Sequence, residues 1–264
     1  MGGSAARRNN DGHNQPEHRM QTARIFAFAA ALLLSACAAA QSSIPGIERK
    51  TTMNKPHRAL IVIDVQNEYV DGNLPIEYPG VEGSLANIGR AMDAARAANV
   101  PVVVVQNTAP AGAPLFDKGS HGWALHEVVA SRPHEHYIEK RLPSAFTGTD
   151  LAAWIRQHGI DTLTVAGYMS HNCVASTVFE ALHAGLAVEV LIDATGSVPY
   201  ANRAGTASAR QIHDTFMVVF QSRFAAVLPT AEWIGVLATG AAPERDTIYG
   251  SNQRARSAKP GAAL

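Results

Sequence analysis

The sequence predicts an α/β domain built on a mainly parallel sheet, and two observations carry that expectation. From Ala59 to about residue 238, strand-like and helix-like segments alternate along the chain. Such alternation is the pattern of right-handed βαβ crossovers. The first strand-like segment, Ala59-Leu-Ile-Val-Ile, is also a continuous apolar run, with no polar residue at every second place. Strands of this kind are buried on both faces, as in a parallel sheet covered by helices. In such sheets the ligand site lies beyond the carboxyl ends of the strands, near a switch in strand order.

The 264 residues suffice for one large domain or two small ones. Formal net charge is zero and only 17% of residues are charged, so neither a nucleic-acid-binding stripe nor an acidic tail is present. The two cysteines are Cys37 and Cys173. Cys37 falls in a leader-like segment, so the folded part holds one thiol and forms no internal disulfide.

Residues 1–52 read as a leader-like segment, with a polar, aperiodic start over 1–19 that is expected to be disordered. Behind Arg24 runs Ile25–Leu34, apolar but too short for a mature transmembrane helix. Leu34-Ser35-Ala36-Cys37 resembles a bacterial lipobox, and a start at Met20 would give that leader a normal length. On this reading the protein is a membrane-anchored lipoprotein with lipidated Cys37. On the rival reading translation starts at Met53, which leads directly into the first strand, and the protein is cytoplasmic. Composition leaves the two even.

The folded domain is expected over 53–239. Ala59–Asp64 is the first strand. A helix follows over 82–98, with Leu85, Ile88, Ala91, Met92 and Ala95 on one face. Pro101 introduces a second strand at Val102–Val105. The long segment Asn107–Pro133 contains His121, Trp123 and His126; its length marks it as a functional loop or lid, with a short helix over 122–130. Tyr137–Glu139 is a brief third strand. Residues 149–158 form a helix with Thr149 as its N-cap. Leu163–Ala166 is a fourth strand, followed by a tight turn at Gly167 and a helix opening at Asn172–Cys173 that stops at Gly185. Ala187–Ile192 is the fifth strand. Residues 202–213 read as a helix, Phe216–Phe220 as the last strand, and 230–238 as a short helix. The tail over 240–264, rich in Gly, Pro, Ala, Ser and Arg, is expected to be disordered.

Three positions carry candidate chemistry. The first strand ends at Asp64, the third ends in Lys140, and the fourth leads to Cys173. A thiol at a helix N-terminus meets backbone N–H groups and the positive end of the helix dipole. Its pKa can fall from roughly 8.5 toward ~4–7. A thiol nucleophile also needs a proton acceptor and a stabiliser of its thiolate. Asp64 could take the proton, while Lys140 holds Asp64 ionised and favours the thiolate. Backbone N–H groups around Met169–Cys173 could form an oxyanion hole, where one donor is worth ~10²–10³ in rate. The bland readings are a strand-end turn former for Asp64, a solvated Lys140, and a buried thiol for Cys173. His171 and His126 could donate hydrogen bonds to a substrate or simply lie on loops. Trp123 could be a pocket wall, a lid anchor or plain packing.

Val62-Ile63-Asp64-Val65-Gln66-Asn67-Glu68-Tyr69, Lys140-Arg-Leu-Pro-Ser144-Ala145-Phe146 and Gly167-Tyr-Met-Ser170-His-Asn-Cys173-Val174 resemble the three signatures of the isochorismatase-like cysteine hydrolases. The resemblance covers about residues 57–235. It implies a three-layer α/β fold with a six-stranded parallel sheet in the order 3-2-1-4-5-6, helices on both faces, and a homo-oligomer (dimer or tetramer). It implies a catalytic triad of Asp64, Lys140 and Cys173, and a cis peptide between Tyr168 and Met169. Oxyanion donors would come from Met169 and Cys173. Tyr69 and Phe146 would line the substrate pocket, and Gln66 or Asn67 would brace Asp64. The nicotinamidases of the superfamily carry an Asp-x-His…His metal site after the second strand. Here that place reads Gln106-Asn107-Thr108-Ala109-Pro110, with Asp117, His121 and His126 at looser spacing. No catalytic metal or other cofactor is therefore expected.

The activity expected is thiol-dependent hydrolysis of a non-peptide C–N bond in a small amide or ureido compound, through a thioester. The alternatives are vinyl ether hydrolysis of the isochorismatase type and an inert binding protein on the same fold. A nucleotide-dependent oxidoreductase is disfavoured, because no Gly-x-Gly-x-x-Gly follows the first strand.

Overall fold

The computed structural model describes residues 55–258. The leader-like segment, Cys37 and both candidate start residues lie outside them. The strands are β1 (Arg58–Ile63), β2 (Val102–Asn107), β3 (His136–Lys140), β4 (Thr162–Tyr168), β5 (Ala187–Gly196), β6 (Tyr200–Asn202), β7 (Gly205–Ala207) and β8 (Ala226–Leu228). The helices are α1 (Val81–Ala97), α2 (Glu127–Ala130), α3 (Leu151–Gln157), α4 (Cys173–His183), α5 (Ala209–Val219), α6 (Thr230–Thr239) and α7 (Ile248–Ser257). Six strands form one sheet in the order β3-β2-β1-β4-β5-β8, and every pairing in it is parallel. This is the expected 3-2-1-4-5-6 order, with β8 as the sixth strand.

The unbroken apolar runs have a direct physical reason. Successive side chains of a strand point to opposite faces, and both faces of this sheet are covered. Ala59, Ile61 and Ile63 of β1 pack with Leu151, Trp154 and Ile155 of α3, Val174 and Val178 of α4, and Met217 of α5. Leu60 and Val62 pack the other way, with Leu85, Ile88 and Met92 of α1 and Trp233 of α6. A polar residue at any of these places would lose its hydration without a partner.

Chain order is broken at the middle of the sheet, where β1 lies between β2 and β4. The carboxyl ends of β1 and β4 diverge in connectivity there, and the crevice that results is the expected ligand position. Gly167 fixes how closely these two strands approach. It pairs with Ile63 across the β1–β4 ladder. Its φ is 103°, and a Cβ on it would stand 2.1 Å from the Ile63 carbonyl oxygen. Gly167 therefore lies within β4, which continues to Tyr168; the turn expected at Gly167 comes after it.

Three further expectations are corrected. Phe216–Phe220 is not a strand: Phe216 belongs to α5, and Phe220 opens a short π-helical turn, Phe220–Phe224. The helix starts at Ala209 because Ser208 and Gln211 form a capping box. Phe216 and Phe220 then stand one turn apart, with ring centroids 5.9 Å apart, and the edge strand is the later Ala226–Leu228. Residues 200–207 form the antiparallel β6–β7 hairpin, where the helix had been expected to begin. Asp150, not Thr149, is the N-cap of α3, although Thr149 Oγ1 accepts from the Leu151 N–H at 3.3 Å.

Residues 240–258 of the tail expected to be disordered are ordered, and their hydrogen bonds explain why. Arg58 Nη2 donates to the Ala241 carbonyl, and the Asp246 N–H donates to the Gln221 carbonyl at 2.8 Å. Thr247 then caps α7 by accepting from the Gly250 N–H. None of these partners is visible in local composition.

Arg58 and Glu189 form a buried ion pair at 2.8 Å between the starts of β1 and β5. Glu189 Oε2 also accepts from Thr164 Oγ1 at 2.7 Å and Trp233 Nε1 at 2.9 Å. Arg58→Ala should destabilise the fold by about 3–5 kcal/mol, because it leaves a buried carboxylate without its cation. Urea unfolding followed by tryptophan fluorescence measures this, and a loss below about 1 kcal/mol would contradict it.

Candidate active site

The carboxyl ends of β3, β2, β1 and β4 stand side by side, and their polar residues converge. Lys140 Nζ lies 2.7 Å from Asp64 Oδ2 and 3.2 Å from Cys173 Sγ. Both charged side chains have 0% exposure. The Lys140–Asp64 approach is close but outside hydrogen-bonding angles, so it acts mainly as an ion pair. Asp64 leaves β1 with φ 51°, a left-handed conformation that Asp tolerates better than most residues. Cys173 is the first residue of α4 and is 5% exposed. Lys140 ends β3, and its register partner Asn107 ends β2. The Asn107 carbonyl side-chain oxygen accepts from Lys140 Nζ at 3.4 Å.

Electrostatics refine the sequence expectation for the thiol. Burial pushes the Cys173 pKa well up and the Asp64 charge adds to this, while Lys140 opposes. The depressed pKa expected from a helix start is therefore not the resting condition. Loss of hydration is the largest cause, because Cys173 is sealed in the apolar cluster with Phe146, Val174 and Val178. Burial also raises the Asp64 pKa, against the nearby Lys140 charge and the neighbouring Cys173 thiol. For Lys140, burial works against the charge, but Asp64 and Cys173 hold its pKa above the ordinary value. At rest the site pairs an ammonium with a carboxyl of enhanced proton affinity and a protonated thiol.

The turn between β4 and α4 begins with a cis Tyr168–Met169 peptide. Asn172 and Val174 donate their N–H groups to the Met169 carbonyl, and Ser170 donates to the Gly196 carbonyl. The N–H groups of Met169 and Cys173 have no acceptor among the described residues. Two free donors beside the thiol are what an oxyanion hole requires. Tyr168 itself is buried, with its hydroxyl 2.6 Å from Ser84 Oγ.

The other expected site residues divide. Tyr69 is 1% exposed, packs on Phe116 and Tyr168 at 5.3 and 5.5 Å, and has its phenol pKa raised by burial and then by the charges of Cys173 and Asp64. Phe146 belongs to the apolar cluster around Cys173. Gln66 and Asn67 do not brace Asp64. The Gln66 amide bridges the Asn107 backbone and the Trp123 carbonyl, at 2.9 and 2.6 Å, so it clamps the long loop to β2. Asn67 donates to the His121 carbonyl at 3.1 Å. His126 is a helix cap, accepting from the Val128 N–H at 3.2 Å. Trp123 anchors the loop by donating to Thr108 Oγ1 at 2.8 Å. His171 reaches Ser197 Oγ at 3.0 Å and stands edge-on to Tyr200. Asp117, His121 and His126 have separate partners: the Gly112 N–H, Asp71 and the Val128 N–H.

Sequence reading missed Asn107, Ser197 and Tyr200. Asn107 was legible as a polar residue ending an apolar strand. Ser197 and Tyr200 follow a strand that runs four residues past its apolar stretch, and nothing local marks that extension.

The isochorismatase domain family model matches residues 58–232. A protein of Burkholderia xenovorans LB400, solved as a candidate isochorismatase, is 67% identical, with a TM-score of 0.77 over 77% of this chain and 98% of that one. A secreted isochorismatase effector of Verticillium dahliae is 34% identical over 146 residues, covering 55% of this chain and 76% of that protein. A ureidoacrylate amidohydrolase of Agrobacterium fabrum is 27% identical over 186 residues, covering 58% of this chain and 82% of that protein.

The raised thiol pKa gives a signed prediction. Alkylation of Cys173 by iodoacetamide should be slow at neutral pH and quicken as pH rises. Asp64→Asn removes a charge that raises the thiol pKa, so it should accelerate alkylation at fixed pH; Lys140→Met should slow it. Mass spectrometry of quenched time points reads the order, and a reversed order would refute these electrostatics.

Proposed function

The chain belongs to the isochorismatase family, and from that premise we propose that it is a cysteine hydrolase cleaving a non-peptide C–N bond in a small amide or ureido compound. The observation that carries this reading is the position of Lys140 Nζ, 2.7 Å from a buried carboxylate and 3.2 Å from a buried thiol. Similarity to a ureidoacrylate amidohydrolase supports the bond class.

In the proposed mechanism Asp64 takes the proton of Cys173, and the thiolate attacks the substrate carbonyl carbon. The raised proton affinity of Asp64 suits it to that step. The new oxyanion accepts hydrogen bonds from the N–H groups of Met169 and Cys173. As the C–N bond breaks, Asp64 returns the proton to the departing nitrogen, leaving a thioester on Cys173. A water molecule gives a proton to Asp64 and attacks the thioester. The acid leaves, and Asp64 restores the proton to the sulfur. Lys140 stays protonated throughout, stabilising in turn the carboxylate and the thiolate.

Transfer of the proton to Asp64 also removes the carboxylate charge that opposes thiolate formation. The resting thiol is therefore unreactive until substrate and oxyanion donors compensate the new negative charge. This restricts nucleophilic attack to a bound carbonyl.

A panel of small amides and ureido compounds, with isochorismate included, tests the reading. Cys173→Ala and Asp64→Asn should each lower kcat by at least about 10³-fold on any amide the wild type hydrolyses, as for other nucleophile and base removals. Rapid quenching followed by intact mass should detect an acyl adduct on Cys173. Full turnover of an amide by Cys173→Ala would reject the covalent scheme. Turnover of isochorismate alone would favour the vinyl ether alternative.

A further inference from the structure

A groove beside the reactive turn lies between the β6–β7 hairpin and α5, lined by His171, Tyr200, Asn202, Thr206, Ile212 and Phe216. Neither the triad nor the oxyanion donors use these residues. His171 connects the groove to the chemistry, because it sits two residues before Cys173 in the turn that carries the Met169 and Cys173 N–H groups. Its ring stands edge-on to Tyr200, with centroids 5.0 Å apart at 82°, and 6.2 Å from Phe216.

Ser197 is fully buried, and among the described residues its hydroxyl meets only His171 Nδ1, at 3.0 Å, which fixes the ring at the end of the groove. Burial, with a smaller contribution from His213, lowers the His171 pKa to about 4, so the ring stays neutral at neutral pH. No residue lining the groove is then charged. Tyr200 completes the link: burial and then the Cys173 charge raise its phenol pKa.

We propose that this groove is a substrate subsite for an uncharged, planar apolar substituent, such as an aryl or heteroaryl ring, flanking the scissile carbonyl, with Tyr200 and His171 setting specificity. The proposal rests on the amide hydrolase reading above. Phe216 and Ile212 supply the apolar wall, and the Tyr200 ring supplies a face or edge for stacking. A carboxylate or ammonium on the same substituent would lose hydration without finding an opposite charge.

The test compares kcat/KM for matched amides bearing methyl, phenyl or carboxylated phenyl groups, on the acyl side in one series and on the nitrogen in the other. Wild type should prefer phenyl over methyl by about tenfold or more in one series, as apolar pockets do, and should disfavour the carboxylated phenyl. Tyr200→Ala and Thr206→Trp, the second obstructing the groove from an exposed position, should each reduce the phenyl-to-methyl ratio toward one. Equal turnover of phenyl and methyl in both series, or a ratio that survives both replacements, would overturn the subsite. If wild type hydrolyses no amide, the amide reading fails by itself, and the subsite is judged by binding. Saturation-transfer NMR should then detect benzamide on Cys173→Ala and lose it on Cys173→Ala with Thr206→Trp. No signal on the first, or an undiminished signal on the second, would overturn the subsite.

Discussion

An ammonium and a carboxylate held together with no access to water are the constraint on which this molecule depends. Removing Asp64 and Lys140 from solvent costs several kcal/mol for each ion, and their mutual attraction offsets that only at close range. They meet at 2.7 Å because they stand at the carboxyl ends of β1 and β3, the two strands that flank β2. A loop could not hold two such groups with that precision against their hydration. The pair is a poor source of stability compared with the apolar core around it. It holds a carboxyl group beside a thiol, out of contact with bulk solvent.

The two-sided core follows from that requirement. A sheet covered on one face would leave its strand ends partly wet. Here α1 and α6 close one face, α3, α4 and α5 close the other, and the alternating side chains of β1 reach into both clusters. The same enclosure that protects the pair also seals Cys173. That is why burial has the largest influence on the thiol.

How much could be read from the chain depended on how local the signal was. The strand order was legible through the resemblance of three motifs to a known family, and the Asp64, Lys140, Cys173 cluster because each residue ends or follows a strand-like segment. Gln66, Asn67 and His126 misled because their types suit a pocket, while their actual partners are backbone groups of the long loop. Phe216 and Phe220 fit a strand by residue type, yet the Ser208–Gln211 capping box placed them on helical turns. The ordered tail rests on contacts to Arg58 and Gln221, far away in sequence, which no local reading can supply. Tyr200 lay beyond the apolar part of β5, where composition carries little information.

The β6–β7 hairpin belongs to a separate two-stranded sheet and pairs only with itself. No hydrogen-bond ladder couples it to the six strands that hold the ion pair. Changes of sequence or length in the hairpin therefore break no pairing of the six-stranded sheet that places Asp64 and Lys140.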